Sequence, residues 1–493
     1  MSEPSERSAP AGVAFASPEG RGLIVAAILG SGVAFLDGSV VNVALPTIGR
    51  DLGGGFAVLQ WVLDGYLLTL SALLLLGGAL GDRYGRRRLF VLGLAVFTVA
   101  SLACGLAPSG PALIVARLGQ GIGGALLVPG SLAMIDATIR AEDRGRAIGT
   151  WAGLTGVASA IGPFVGGWLV EAVSWRLVFF INVPLAAAAV AATLRYVPES
   201  RDDSATGRPD LVGAASITIG LAGVVFALIQ GPAHGWTALP VAAIVIGAIA
   251  LVAFPFIERR QRVPLLPLVL FRSAQFVGAN VATLTVYAAL GGALFLLTLQ
   301  LQLSMGYSAI YAGLATLPIT VIMLLLSGRI GGLAQRTGPR LPMTVGPLVA
   351  GAGLALLSLA RPGASYLGGV FPGVVVFGFG LAITVAPLTS AVLAAVDEHH
   401  VGAASGANNA ISRLAGLLAV AVLPLAAGLD TSGGSLGDGF ATAMFISAAL
   451  CGLGGLVAAM TVDRVTPVRT HTLPAVNQAC QHPCTRTEAA QAQ

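Results

Sequence analysis

A chain of 493 residues that is 56% hydrophobic and only 10% charged cannot cover a soluble surface, because an ordinary soluble domain carries about a quarter charged residues. With a mean hydropathy of +0.86, it excludes a soluble enzyme, a nucleic-acid-binding domain and a disordered scaffold. The formal net charge of +5 rests on 27 basic residues, all of them Arg, which together with heavy Ala and Gly use points to a high-GC bacterial genome.

Residues 1–21 carry Glu3, Glu6 and Glu19 among Ser and Pro. They are too polar for a signal peptide and read as a cytoplasmic N-terminal segment. A membrane-crossing helix needs about 20 mostly apolar residues. Such runs fall at 22–45, 57–81, 88–107, 111–136, 146–170 and 176–197, predicting a first six-helix bundle over 22–197. A linker over 198–273 holds two inserted runs, 211–231 and 238–257. Six more, at 274–300, 309–331, 341–360, 366–396, 403–428 and 439–461, predict a second bundle over 274–461. Residues 462–493, rich in Thr, Gln and Ala, read as a disordered cytoplasmic tail. No alternating pattern competes with these runs, so the fold class is an all-α integral membrane protein of fourteen helices, not a β-barrel.

The Arg residues fix the orientation. With the N-terminus in the cytoplasm, 22 of them fall on inner segments, three (Arg50, Arg176, Arg361) on outer loops and two (Arg117, Arg413) within spans. That bias predicts a multi-pass protein of the bacterial cytoplasmic membrane with both termini inside. Cys104, Cys451, Cys480 and Cys484 are too scattered for a disulfide framework. Cys480 and Cys484 with His482 lack a second ligand pair, so no metal site is expected. Without Lys there is no phosphate-binding Gly-Lys-Ser/Thr loop, which excludes an ATP-driven pump within this chain.

Between the second and third runs stands Gly78-x-Leu80-x-Asp82-Arg83-x-Gly85-Arg86-Arg87. Gly78 permits close helix approach, and Asp82 with the Arg cluster can form an inner charge lock. Asp136, at the inner end of span four, is placed to join it through Arg144 or Arg146. A degenerate copy, Gly328-Arg329-Ile330-Gly331 and then Arg336-x-Gly338-Pro339-Arg340, follows eight spans later without the Asp. Span one carries Leu36-Asp37-Gly38 through Asn42 to Pro46, and span four carries Arg117-x-x-Gln120-Gly121. Span five carries Gly162-Pro163-x-x-Gly166-Gly167, and Trp175-Arg176 and Asn182-Val183-Pro184 flank span six. This set resembles the motifs of the major facilitator superfamily, in its fourteen-helix drug/proton antiporter branch. The resemblance implies two pseudo-symmetric six-helix bundles plus two extra helices, a monomer, and an exporter, since the span-five motif is the one associated with export.

Charged groups in hydrocarbon are functional candidates by default. At about 1.5 Å per residue, Asp37 lies roughly 22 Å from the inner end of span one, Asp64 roughly 10 Å from the outer end of span two, and Arg117 roughly 9 Å from the outer end of span four. All three share a level in the outer half and can share a cavity. A carboxyl balanced between burial and a guanidinium can take a proton on one side and release it on the other. Asp37 or Asp64 is therefore the expected proton carrier, biased by Arg117 and hydrogen-bonded by Gln120. The five His fall in loops or the tail, which leaves this work to carboxylates. Tyr66, Phe295, Met323 and Phe377 are equally suited to lining a cavity or facing lipid.

The reading that follows is proton-coupled efflux of lipophilic drugs or antibiotics by alternating access, driven by the proton gradient without a cofactor. Its partners are a lipophilic small molecule, protons and the bilayer, with no nucleic acid. A dedicated exporter of one endogenous metabolite or antibiotic is the alternative, and a non-transporting membrane sensor a remote one.

Overall fold

The structure is a computed structural model describing residues 12–202, 209–397, 400–429 and 436–464. The tail, with Cys480, His482 and Cys484, and the first eleven residues lie outside the described residues. Among the described residues, fourteen helices are long and apolar enough to cross a membrane. They are α1 (Pro18–Leu52), α2 (Gly55–Tyr84), α3 (Arg86–Gly105), α4 (Gly110–Thr138), α5 (Ala141–Ala172), α6 (Leu177–Tyr196), α7 (Leu211–His234) and α8 (Ala238–Arg260). They continue with α9 (Ala274–Ser304), α10 (Ala309–Thr337), α11 (Arg340–Leu357), α12 (Tyr366–Ala394), α13 (Val401–Ala426) and α14 (Gly439–Thr461). Every expected span is present as a helix. The described residues contain no strand, only an isolated bridge between Val13 and Ile139. Hydrocarbon offers a backbone no hydrogen bonds, so an apolar run of this length must satisfy its own as a helix.

Several helices outrun their apolar stretch. Ser17 caps α1 by accepting from the Gly20 N–H at 3.0 Å, which starts that helix before residue 22. Arg144 and Arg146, expected in a loop, lie within the first turns of α5, where Glu142 and Asp143 suit the positive end of the helix dipole. Arg50 likewise belongs to the last turn of α1.

Helices α1–α6 pack on one another, as do α9–α14, while α7 and α8 pack chiefly together and touch the rest through α2 and α13. The two groups meet along α5 with α10 and α2 with α13. At the arginine-poor end their side chains merge into one core, in which Leu45, Ile48, Leu59 and Phe179 join Phe295, Leu299, Leu354 and Val420. Toward the arginine-rich end the cores are separate, one around Leu23, Phe90, Phe97 and Met134, the other around Phe276, Met343, Leu388 and Ala404. Midway along α1, a side chain at Gly38 would meet nothing within 4 Å. The interior is thus sealed at the arginine-poor end and opens toward the other.

The seal is built from close backbone approach. Gly167 of α5 leaves only 2.6 Å between a would-be Cβ and the Ala309 carbonyl oxygen, and Gly313 of α10 faces the Pro163 carbonyl more tightly still. Beside them, Glu171 accepts the Ile310 N–H at 2.7 Å and so caps α10 from the other group. Gln302 donates to the Val43 carbonyl at 2.9 Å, and Gln60 to the Val420 carbonyl at 2.7 Å. A larger residue in Gly313→Leu is expected to push α10 off α5. A cysteine placed at Val43, in a chain whose Cys480 and Cys484 are replaced by Ser and whose Cys104 and Cys451 are buried, should then react several-fold faster with a membrane-impermeant maleimide. An unchanged rate would mean that the seal lies elsewhere.

Candidate functional site

Four helices contribute side chains to one enclosed polar cluster. Asp37 comes from α1, Ser101 from α3, Arg117 and Gln120 from α4, and Asn182 from α6, and each is 0% exposed. Arg117 and Gln120 are three residues apart and so share a helix face. The Arg117 Nη1 group donates to Asp37 Oδ2 and, at 2.6 Å, to Gln120 Oε1. Gln120 Nε2 donates to Asp37 Oδ1 at 2.9 Å and to Ser101 Oγ at 2.7 Å. Asn182 Nδ2 reaches Asp37 Oδ1 at 2.9 Å, and Arg117 Nε reaches the Val62 carbonyl of α2 at 2.8 Å. The Tyr66 ring lies 4.6 Å and the Phe179 ring 5.9 Å from the guanidinium. An unpaired charge here would cost several kcal/mol, and pairing repays it only when the remaining lone pairs and protons are also bonded. Asp37 meets that condition with three donor side chains. Arg117 Nη2 and Asn182 Oδ1 are left without partners, so the cluster keeps one open donor and one open acceptor.

Asp64 does not join it. Its carboxyl is 0% exposed and neither oxygen has a hydrogen-bond partner. Its neighbour Gly65 is level with Arg117, but rotation decides the contact, because consecutive helical residues point about 100° apart. Gly65, the next residue, faces α4, where a Cβ would lie 3.5 Å from the Arg117 Cβ. Gln60, one turn before Asp64, bonds to α13, and Leu68, one turn after, packs with Leu417, Ala421 and Leu221. Asp64 therefore stands on the face of α2 turned toward α13.

Arg413 of α13 is the other expected intramembrane charge. Its guanidinium lies 4.9 Å over the Phe35 ring of α1, and Nε has no partner. One cation–π contact contributes about 0.5–2 kcal/mol.

The inner motif forms two separate ion pairs rather than a single lock. Asp82 pairs with Arg86 at 2.8 Å, and Asp136 with Arg144 at 3.1 Å. Both are reached by solvent and contribute about 0–1 kcal/mol each. Backbone bonding holds this end more firmly. The segment after α6 lies along the motif, with Arg86 N–H donating to the Ser200 carbonyl at 2.9 Å and Asp202 N–H to the Asp82 carbonyl at 2.8 Å. Gly85 takes φ +114°, a conformation that favours glycine, where α2 turns into α3. Glu199, which sequence reasoning missed, caps α3 there by accepting from Arg87 N–H at 3.1 Å. Arg83 lies over the Tyr84 ring and Arg87 donates to the Leu194 carbonyl. The expected close approach belongs to Gly77, against the Ala125 carbonyl; a Cβ at Gly78 would keep an ordinary 3.6 Å from Pro129.

The span-five residues join three helices. Gly162 lies against Ser39 and Gly166 against Val40 of α1, while Pro163 and Gly167 meet α10. At the same end Trp175 Nε1 donates to Asp51 Oδ2 at 2.8 Å, and Arg176 Nη1 to the carbonyls of Gly105 and Ala107. Phe295 and Phe377 are core residues, 1% and 0% exposed. Ser101 escaped sequence reasoning, and Asn182 was noted only as a motif fragment. Their one signal is a polar residue inside an apolar run. Among the described residues no group of three or more His, Cys, Asp and Glu could hold a metal.

Arg117→Ala strands the Asp37 carboxylate and is expected to destabilise the protein by about 3–5 kcal/mol. Replacing both (Asp37→Asn with Arg117→Gln) should cost less than the two single changes together. Unfolding in detergent checks this, and an Arg117→Ala protein as stable as the parent would contradict it.

Comparisons with known proteins fit this geometry. The sequence profile described as Major Facilitator Superfamily matches residues 27–420. The chain is 36% identical over 402 residues to "Multidrug resistance protein Stp" of Mycobacterium tuberculosis, covering 81% of this chain and 74% of that protein. It is 34% identical over 420 residues to "Tetracenomycin C resistance and export protein" of Streptomyces glaucescens, covering 84% and 78%. Among solved structures, the inward-open xylose transporter XylE from E. coli shares the fold with a TM-score of 0.62 at 16% identity, over 90% of this chain and 97% of that one.

Proposed function

The chain belongs to the Major Facilitator Superfamily and is a multi-pass membrane transporter, and from that premise we propose that it exports lipophilic drugs or antibiotics in exchange for protons. The names of the relatives support the substrate class. The proposal sets the protein in a bacterial cytoplasmic membrane with both ends inside, working as a monomer without a cofactor. On that orientation the open end faces the cytoplasm and the sealed end the outside.

One observation carries the coupling: two buried carboxyl groups in opposite environments. Asp37 is saturated with donors and suits a permanent carboxylate, the fixed joint of α1, α3, α4 and α6. Asp64 is fully buried and has no donor among the described residues, and the neutral acid is the form such a site tolerates. We assign the coupling proton to Asp64. One turn away, Gln60 bridges α2 to α13 across the two helix groups. With its proton, Asp64 lets that interface stay dry. On losing it, the carboxylate demands water or a donor and loosens the contact. Alternating access then consists of breaking the outer contacts of Glu171, Gln302 and Gln60 while the inner ends close. A proton falling through 100 mV supplies about 2.3 kcal/mol, enough for roughly 50-fold accumulation of substrate.

Relatives named for a single antibiotic favour a second reading, a dedicated exporter of one product. Inverted vesicles holding an acid interior separate the two. Several lipophilic compounds are expected to dissipate the gradient with the parent protein, and Asp64→Asn to abolish dissipation while leaving substrate binding within a few-fold. A response to one compound alone selects the dedicated exporter. Full dissipation by both Asp64→Asn and Asp37→Asn would falsify the coupling assignment.

A further inference from the structure

We propose that Arg413 is the charge-recognising residue of the transport cavity and that the substrate it selects is a lipophilic organic anion, an aromatic carboxylate or phenolate. This rests on the export reading and deepens it.

The charges of the spans leave one group unanswered. Arg117 is answered by Asp37, and both are enclosed. Asp64 is fully buried, so no ligand in the cavity touches it without rearrangement. The spans of the second helix group, α9 to α14, contain no Asp or Glu at all. Arg329, Arg336 and Arg340 sit at the arginine-rich ends of α10 and α11, whereas Arg413 lies deep, twelve residues into α13 and so roughly 18 Å from its arginine-rich end. It is half-buried and makes no hydrogen bond or ion pair to any described residue. The Phe35 ring beneath it belongs to the opposite helix group.

Around it the surfaces suit an amphipathic anion. Phe35 offers an aromatic face, and Gly38, on the next turn of α1, leaves open space. A further turn on, Asn42 has a side-chain oxygen without a partner. A carboxylate or phenolate entering from the open end would find a fork of donors that nothing else occupies, flanked by apolar walls for the rest of the molecule. A cationic drug at this depth would meet the Arg413 guanidinium, while the carboxyl groups of Asp37 and Asp64 are enclosed. Recognition by exclusion of the opposite charge is as effective as attraction.

Equilibrium binding of two dyes to the purified protein tests this: fluorescein, an anion, and rhodamine 6G, a cation of similar ring system. The parent protein is expected to bind fluorescein about tenfold or more tightly than rhodamine 6G. Arg413→Gln should lose about tenfold or more of the fluorescein affinity with rhodamine 6G no weaker, Arg413→Lys should stay within a few-fold of the parent, and Arg413→Glu should invert the preference. Retained rhodamine 6G binding reports that a variant is folded. Should Arg413→Gln fail to fold, Arg413→Lys decides: a kept anion preference supports the proposal, and its loss with rhodamine 6G bound normally overturns it. Equal fluorescein affinity in the parent and Arg413→Gln, or no fluorescein binding by the parent, overturns it as well. The assay needs no gradient, so its failure leaves proton-coupled export standing with a neutral or cationic substrate. Silence of the gradient assay with anion binding intact would remove export and keep the site.

Discussion

A guanidinium and a carboxylate set together in the middle of a membrane protein survive only if nearly every hydrogen-bonding position around them is filled. That condition organises the first helix group. Asp37 needs Arg117 and Gln120 from α4 and Asn182 from α6, Gln120 needs Ser101 from α3, and Arg117 needs the Val62 carbonyl from α2. Sliding α1 against α4 would strand a charge, and sliding α2, α3 or α6 would leave a buried polar group without its partner, each at a cost greater than the small contacts relieved. The cluster thus makes α1–α4 and α6 one rigid body at the level where a transporter has to move something else.

What is left free to move lies across the two groups. At the sealed end they share the merged apolar core and a small set of polar and close contacts: small residues that let α5 and α10 touch, one carboxylate capping a helix of the other group, and two glutamine amides on backbone carbonyls. Each of the three hydrogen bonds is worth roughly 0.5–1.5 kcal/mol net. On the proposed function the division of labour follows from burial. The saturated acid holds one group together, and the isolated acid, seated on the α2 face next to α13, changes the interface between groups.

Much of this was legible in the sequence because hydrocarbon is an unforgiving solvent. An apolar run of about twenty residues has only the helix open to it, and all fourteen runs are helices. The rise per residue also placed Asp37 and Arg117 at one level, and they meet. The same arithmetic placed Asp64 there, and it turns away. Depth depends on residue count, whereas rotation about the axis depends on which neighbour packs against which face, and apolar residues all round a membrane helix leave no amphipathic stripe to read. Glu199 shows a different gap: it reaches the α3 terminus from 112 residues away in sequence, and no local pattern announces such a cap. Gly167 reads as a packing residue, but that its partner is α10 of the other group is a fact of assembly. Ser101 and Asn182 were hidden because small polar residues are commonplace in membrane helices.

The central claim is that the two buried acids differ in kind, Asp37 a fixed carboxylate and Asp64 the holder of the exchangeable proton. Difference infrared spectroscopy of the carboxylic acid C=O stretch, recorded on purified protein as the pH is stepped, observes that proton directly. The account predicts a protonated-carboxyl band that vanishes in Asp64→Asn and persists in Asp37→Asn. A band that survives Asp64→Asn and disappears with Asp37→Asn would contradict it, and would move the coupling site into the Arg117 cluster.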